Sequence, residues 1–322
     1  MATRAVLAGA VVLAVLTGVP LSQATFPGTN GLLVYEAKIG RHYQLFTVAT
    51  DGSGGRQLTH FADSDAVWAE WSRDGKRIVF ERDVYKGVQV IRALIETMNA
   101  DGSSLHTLRP TGFNGRPSWS PDGKRIVYSA LAYGKQATVS VMAANGTGRK
   151  TVMSIPLPEK TFQAKGSKGL DSPTFSPDGR RIAFVWRKKA GPAAIFTIKA
   201  GGGSLEQLTP WERWGLADKI DWSPDGSRIA FSNPDPGAGP GISSNVFTVR
   251  ADGTGLVKLT DSRGGKVHNG FDSWSPDGRK IAFVSNLDGG AYDIYTMNSD
   301  GTGRTQLTHG PEAHHAAWGT HR

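Results

Sequence analysis

Residues 274–283 read WSPDGRKIAF, and the chain writes nearly the same ten letters four more times. WSPDGSRIAF stands at 222–231, FSPDGRRIAF at 175–184, WSPDGKRIVY at 119–128 and WSRDGKRIVF at 71–80. The opening aromatics Trp71, Trp119, Phe175, Trp222 and Trp274 are 48, 56, 47 and 52 residues apart, and a degenerate sixth copy opens at Trp318, 44 residues on. A period of this size marks a solenoid, an array or a propeller.

The stretch after each decamer repeats too. IYTMNSDGTGRTQLT (294–308), VFTVRADGTGLVKLT (246–260), IFTIKAGGGSLEQLT (195–209) and LFTVATDGSGGRQLT (45–59) align, with weaker versions at 95–108 and 139–152. One unit therefore reads as four strands. A short strand runs up to the Trp, and Ser-Pro-Asp-Gly makes a tight turn in which Pro fixes φ, Asp bonds back to the backbone and Gly takes φ > 0. Arg-Ile-Ala-Phe alternates as a half-buried strand does. A third strand, a hairpin turn at Asp-Gly and a fourth strand complete a propeller blade. The first unit has no opening strand and the last has nothing after one. Joined, residues 318–322 and 25–70 make 51 residues, matching the other spacings. The expected fold is all-β: a six-bladed β-propeller of four-stranded antiparallel blades, sealed by pairing of the two chain ends in one blade.

The first 24 residues stand apart. One positive charge (Arg4), an apolar run from Ala5 to Val19 and small residues at Ser22 and Ala24 make the layout of a secretory signal peptide. The run is short of the roughly 20 residues that span a bilayer. Export and release to the periplasm or the exterior are expected, with the propeller over residues 25–322 and no membrane span. The 322 residues contain no cysteine, so neither disulfides nor a lipobox contribute. Forty-one glycines and 17 prolines suit many short strands and turns. The formal charge is +9, which in an exported protein points to anionic envelope polymers or lipid headgroups rather than nucleic acid.

The signature W-S-P-D-G-K-x-I-A-F followed by I-Y-x-M-N-x-D-G resembles the repeat of TolB-type six-bladed propellers, over residues 27–318. The same repeat occurs in the propeller domains of prolyl-oligopeptidase-like peptidases, and related propellers occur in some polysaccharide lyases. The resemblance implies a rigid disc that presents a loop face to a protein or glycan partner. The separate amino-terminal domain of TolB has no counterpart in the sequence, so a Tol–Pal role is not expected. Fold does not fix function.

Both repeated turns lie on one face of such a disc, and the variable connections lie on the other. Lys76, Arg77, Lys124, Arg125, Arg180, Arg181, Arg228, Arg279 and Lys280 would ring the turn face. Their plainer reading is solvated turn residues, since exposed ion pairs are weak. Three connections of the variable face stand out: the Pro- and Lys-containing loop between Thr151 and Asp171, Trp211 and Trp214 in PWERWGLADK, and the Gly/Pro loop 233–243. Residues just before each opening aromatic should line the mouth of the central channel: Trp68, Arg116, Asp171 with Ser172, Asp218 with Lys219, Phe271 with Asp272, and His314 with His315. His314 and His315 are neighbours on a strand, so only one is expected to face the channel.

No G-x-S-x-G elbow, H-E-x-x-H, C-x-x-C or Walker sequence is present. The favoured reading is a non-catalytic, monomeric binding disc without cofactor, its partner an envelope or extracellular protein or an anionic glycan. Its contacts would come from Trp68, Arg116, Asp171, Trp211, Trp214, Lys219, Phe271, Asp272, His314 and His315. The alternative is a lyase or hydrolase for an acidic polysaccharide, with His315, His268, Asp272 and Arg116 at a channel that holds a divalent metal.

Overall fold

The computed structural model describes residues 28–321 apart from 110, 133, 158–168, 189–191, 212–218, 234–242, 263, 265 and 289. The expected signal peptide, most of the Lys-containing loop, Trp214, Asp218 and most of the Gly/Pro loop lie outside the described residues. Every regular element described is a strand, and no described helix is long and apolar enough to cross a membrane.

The chain runs as a succession of antiparallel meanders. The first strands are β1 (Thr29–Ile39), β2 (His42–Val48) and β3 (Arg56–Gln57). Next come β4 (Ser64–Trp71), β5 (Arg77–Lys86), β6 (Gln89–Asn99) and β7 (His106–Arg109), then β8 (Phe113–Trp119), β9 (Arg125–Ala132), β10 (Gln136–Ala143) and β11 (Lys150–Pro156). A parallel bridge, Ala93↔Phe113, joins these two meanders into one eight-stranded sheet. Three separate four-stranded sheets follow. They are β12 (Gly169–Phe175) to β13 (Arg181–Arg187), β14 (Ala193–Lys199) and β15 (Glu206–Gln207); β16 (Ile220–Trp222) to β17 (Arg228–Asn233), β18 (Asn245–Arg250) and β19 (Val257–Lys258); and β20 (Asn269–Trp274) to β21 (Lys280–Ser285), β22 (Asp293–Asn298) and β23 (Thr305–Gln306). The last strand, β24 (Ala313–His321), returns to β1 with Leu33 opposite Trp318 and Val34 opposite Ala317, so the two ends of the chain share a sheet. The arrangement is a β-propeller.

The decamer explains the turns atom by atom. In WSPDGRKIAF the amide of Gly278 donates to the Ser275 carbonyl at 2.8 Å, Ser275 Oγ donates to Asp277 Oδ1 at 2.6 Å, and the Lys280 amide donates to Ser275 Oγ at 2.8 Å. Ser therefore nucleates the turn as much as Pro or Gly does. The two turns of a blade are also tied together: the Ser299 amide donates to the Arg279 carbonyl and the Ala200 amide to the Arg180 carbonyl, each at 2.8 Å.

The strand after the turn is not half-buried, as alternation suggests. Ile182, Ala183, Phe184 and Val185 are all fully buried, because each blade is covered on both sides by its neighbours. Alternation instead divides the residues between two cores. Ile182 and Phe184 join the cluster containing Val139 and Phe175, whereas Ala183 and Val185 join the one containing Trp222 and Phe231. The decamer's small–large alternation is thus a packing code for two interfaces.

The second repeated turn fixes the blade seams. Gly253 has φ +84, and a Cβ there would stand 2.6 Å from the Leu208 carbonyl oxygen of the preceding sheet. Gly301 meets Leu259, Gly102 meets Leu58 and Gly52 meets Leu307 in the same way, which carries the contact around the ring. Gly253→Ala combines left-handed strain with a backbone clash and is expected to cost about 2–3 kcal/mol in urea unfolding. A loss below ~0.5 kcal/mol would show that the seam has slack.

Candidate functional site

Four of the strands that open a four-stranded meander carry the same defect. In β4, β8, β12 and β24 the register with the neighbouring strand slips, and the slipped residue is a non-glycine at positive φ: Trp68 at 55°, Arg116 at 51°, Ser172 at 47° and His315 at 44°. Each stands three residues before the opening aromatic. A left-handed residue with a bulky side chain costs about 1–2 kcal/mol, and strain of this kind persists only where surrounding contacts impose it.

At two of the four bulges those contacts are buried carboxylates. The Trp68 amide donates to Glu36 Oε1, and the Arg116 amide donates to Glu81 Oε2 at 3.0 Å. Glu36 on β1 and Glu81 on β5 each reach across from the preceding meander. Gly115 makes room, since a Cβ there would come within 2.5 Å of the Glu81 carboxylate. Burial pushes the Glu36 carboxyl up to about 8, against the Trp68 amide and nearby cations. Burial likewise holds Glu81 well above the carboxylate range, and Asp83 beside it adds to the shift.

The bulges bring three side chains into a stack. The Trp68 indole lies between the His315 imidazole, 3.6 Å away between centroids, and the Arg116 guanidinium, 3.6 Å from the ring centre. His315 Nδ1 lies 2.9 Å from Glu36 Oε2. At the other end Arg116 Nε pairs with Asp171 Oδ1 at 2.8 Å, and Arg116 Nη1 donates to Ser172 Oγ at 3.1 Å. Trp68, Arg116 and Ser172 line a small pocket together with Glu70, Thr174 and Lys219. Deeper still, Lys219 Nζ lies 2.8 Å from Glu70 Oε1 and donates to the Ala316 carbonyl at 3.1 Å. Desolvation opposes the Lys219 charge, but Glu70 and Asp272 hold its pKa above the usual lysine value.

The left-handed turn at His315 overturns one expectation. It breaks the strand's alternation, so His314 and His315 do not point to opposite sides; their rings lie 5.8 Å apart. His314 then extends the stack along the loop face, contacting Tyr43 at 5.7 Å and Tyr292 at 5.0 Å, with His268 beyond Tyr292 at 5.4 Å. The result is a half-buried arc of aromatic rings around the opening.

Trp68, Arg116, Asp171, Lys219 and His315 thus converge, as their position before each aromatic suggests. Of the other candidates, Asp272 reaches this group only as a buried acid near Lys219, and Phe271, Trp211 and His268 do not join it. Phe271 is a core residue, 1% exposed and packed with Trp274 and Phe283, because its bulge falls one residue later, at Asp272. Asp272 is fully buried, and desolvation raises its carboxyl to about 8 despite Lys219. Trp211 packs against Trp186 and Phe196 of its own sheet and carries Lys188 Nζ 3.9 Å above its ring. His268 is engaged by Ser244 Oγ, 3.1 Å from Nδ1, and Tyr292 and His314 stand between it and His315. Among the described residues no group of three or more His, Asp or Glu is arranged to hold a metal ion. Glu36, Glu81, Glu70 and Asp221 were not singled out from sequence. A signal existed for the first two: Tyr35-Glu36 and Phe80-Glu81 put an acid where the other copies have Ser129, Val185, Ser232 and Val284.

No protein-family profile matches the chain. It is 29% identical over 181 residues to an uncharacterized protein of Agrobacterium fabrum, 52% of this chain and 53% of that protein. It is 25% identical over 277 residues to the Tol-Pal system protein TolB of Francisella tularensis, 74% of this chain and 61% of TolB. The crystal structure of TolB from Acinetobacter baumannii superposes with a TM-score of 0.70 at 21% identity, covering 90% of this chain and 67% of that one. The fold is that of a TolB-type β-propeller. The chain spans between half and two thirds of the length of these two sequence relatives.

Proposed function

We propose that this chain is an exported, non-catalytic, six-bladed propeller of the cell envelope, which binds a protein or envelope polymer through its loop face. In support of six blades, dividing the eight-stranded sheet at its parallel bridge and counting the sheet shared by the chain ends gives six four-stranded units. The observation that carries the reading is the His315–Trp68–Arg116 stack. Strained bulges and buried acids hold an indole and a guanidinium in place before any ligand arrives, which lowers the ordering cost of binding. Trp and Arg in such settings supply most of the energy of protein interfaces. Beneath the stack Lys219 is bound to Glu70 and to the Ala316 carbonyl, as suits a platform more than a reacting centre.

A photo-crosslinking residue at Tyr43, beside the stack, tests this in envelope preparations of the source cell. A discrete adduct is expected from position 43. Trp68→Ala should weaken formation of that adduct by about 30- to 1000-fold, the loss of a hot-spot aromatic. An adduct that persists unchanged in Trp68→Ala would remove the stack from the binding surface.

A further inference from the structure

We propose that the turn face, opposite the stack, docks the protein onto an anionic phospholipid bilayer through exposed cations and a rim of three leucines. Two independent observations carry this. The first is where the charge lies. The five decamer turns, residues 72–77, 120–125, 176–181, 223–228 and 275–280, contain ten Lys or Arg against five Asp. The structure sorts those cations into two groups. The second basic residue folds back onto the disc: Arg77 lies 4.6 Å over the Trp119 ring, Arg125 lies 5.1 Å over Phe175, Arg181 donates to Thr197 Oγ1 at 2.7 Å and Arg228 to Thr248 Oγ1 at 3.1 Å. The first, Lys76, Lys124, Arg180 and Arg279, is exposed. Each turn aspartate accepts from a Ser hydroxyl of its own turn, as Asp178 does from Ser176 at 2.6 Å, and Arg180 Nε lies 4.0 Å from Asp178 Oδ2; five aspartates against ten cations leave these turns a net charge of +5.

The second observation is apolar. The hairpin turns of the same face are close to neutral, and three of them place a leucine at the same point: Leu105 in DGSSL, Leu205 in GGGSL and Leu256 in DGTGL. They are 47%, 41% and 49% exposed. Single exposed leucines need no explanation, but three at one repeat position on one rim do. The residue before each is left-handed, Ser104 at 56°, Ser204 at 51° and Gly255 at 64°, so the three leave their turns alike. Strain at the two serines is kept where other copies use Gly54, Gly148 and Gly303. Hydrogen bonds between the two sets of turns, such as the Ala144 amide to the Lys124 carbonyl at 2.8 Å, hold leucines and cations in one surface.

A soluble polyanion gains from the cations but not from the leucines. A bilayer gains from both: headgroup phosphates pair with Lys and Arg while the leucines enter the interfacial region. The loop face with its aromatic arc would then point away from the membrane.

The test is sedimentation of the chain from residue 25 onward, which retains all 24 strands, with sucrose-loaded vesicles. Equal parts phosphatidylglycerol and phosphatidylcholine are compared with phosphatidylcholine alone, and binding to the anionic vesicles only is expected. Replacing Lys76, Lys124, Arg180 and Arg279 by Gln should lower partitioning about a hundredfold at ~0.1 M salt. Replacing Leu105, Leu205 and Leu256 by Ser should lower it about tenfold. All seven side chains are exposed, and unchanged thermal midpoints would confirm that the variants fold. No binding to anionic vesicles overturns the proposal. So does leucine-independent binding matched by soluble polyglutamate, which would make the face a polyanion site.

Discussion

Lys219→Met is expected to destabilise the propeller by about 3–5 kcal/mol, the cost of removing one partner of a buried ion pair. The Lys219 ammonium joins three strands from three sheets: its own segment before β16, β4 through Glu70 at 2.8 Å, and β24 through the Ala316 carbonyl at 3.1 Å. It is also the cation among Glu70, Asp221 and Asp272, which are packed at the centre of the ring. Burial already raises Asp221 to about 7 and Asp272 to about 8, and both values are held down by Lys219. Met fills similar volume without the charge, so packing survives and the acids lose their counter-ion. Urea unfolding should show the midpoint fall with the slope unchanged. The double variant Lys219→Met/Glu70→Gln should recover part of the loss, because it removes one uncompensated carboxylate. A single-variant loss below ~1 kcal/mol would mean that Lys219 is no tie between blades.

The legible and illegible parts of this molecule differ in kind. WSPDGRKIAF gives the turn, the strand and the period by local chemistry alone, and the pairing of β1 with β24 follows from counting what each end lacks. Convergence of Trp68, Arg116 and His315 was also legible, because equivalent positions in a cyclic repeat must meet at the axis. The bulge was not. Nothing in the letters V-W-A-E-W or A-H-H-A-A-W announces a left-handed residue, and at Trp68 and Arg116 the conformation is held by Glu36 and Glu81 from the preceding meanders. For the same reason strand alternation gave the wrong side for one of His314 and His315. Trp211 illustrates the opposite case: an indole in a polar loop reads as a contact residue, yet Trp186 and Phe196 sit beneath it. Loop composition does not report what a loop folds down upon.

The buried acids make stability depend on pH in a direction opposite to that of most carboxylate-rich proteins. Glu36 and Asp272 are raised to about 8, Asp221 to about 7 and Asp83 to about 6, each chiefly by desolvation. A raised carboxyl stays protonated in the folded chain when the unfolded chain has already released its proton. Stability must then rise as pH falls from about 8 toward 5. One carboxyl raised by about three units is worth ~4 kcal/mol over its full range. These groups share neighbours, so their effects do not add, and ~3 kcal/mol between pH 8.5 and pH 5.5 is the expected gain. His314 works against it: burial and His315 depress its pKa, so its contribution is lost below the usual histidine value of 6.5. The turn aspartates, such as Asp300 held down by Thr302, give way only below the usual aspartate range. The thermal midpoint should therefore climb on acidification from pH 8.5, level off near pH 5–6 and fall below about pH 4. Asp272→Asn should flatten the alkaline limb, whereas a midpoint that falls steadily from pH 8.5 to 6 would contradict the buried-acid account. The same protons bear on the binding face. With Glu36 protonated at neutral pH, His315 faces a neutral acid, while the Arg116 guanidinium at the other end of the stack is paired with Asp171 at 2.8 Å. An anionic ligand group would then meet less repulsion from the acids beneath the stack than their formal charges suggest.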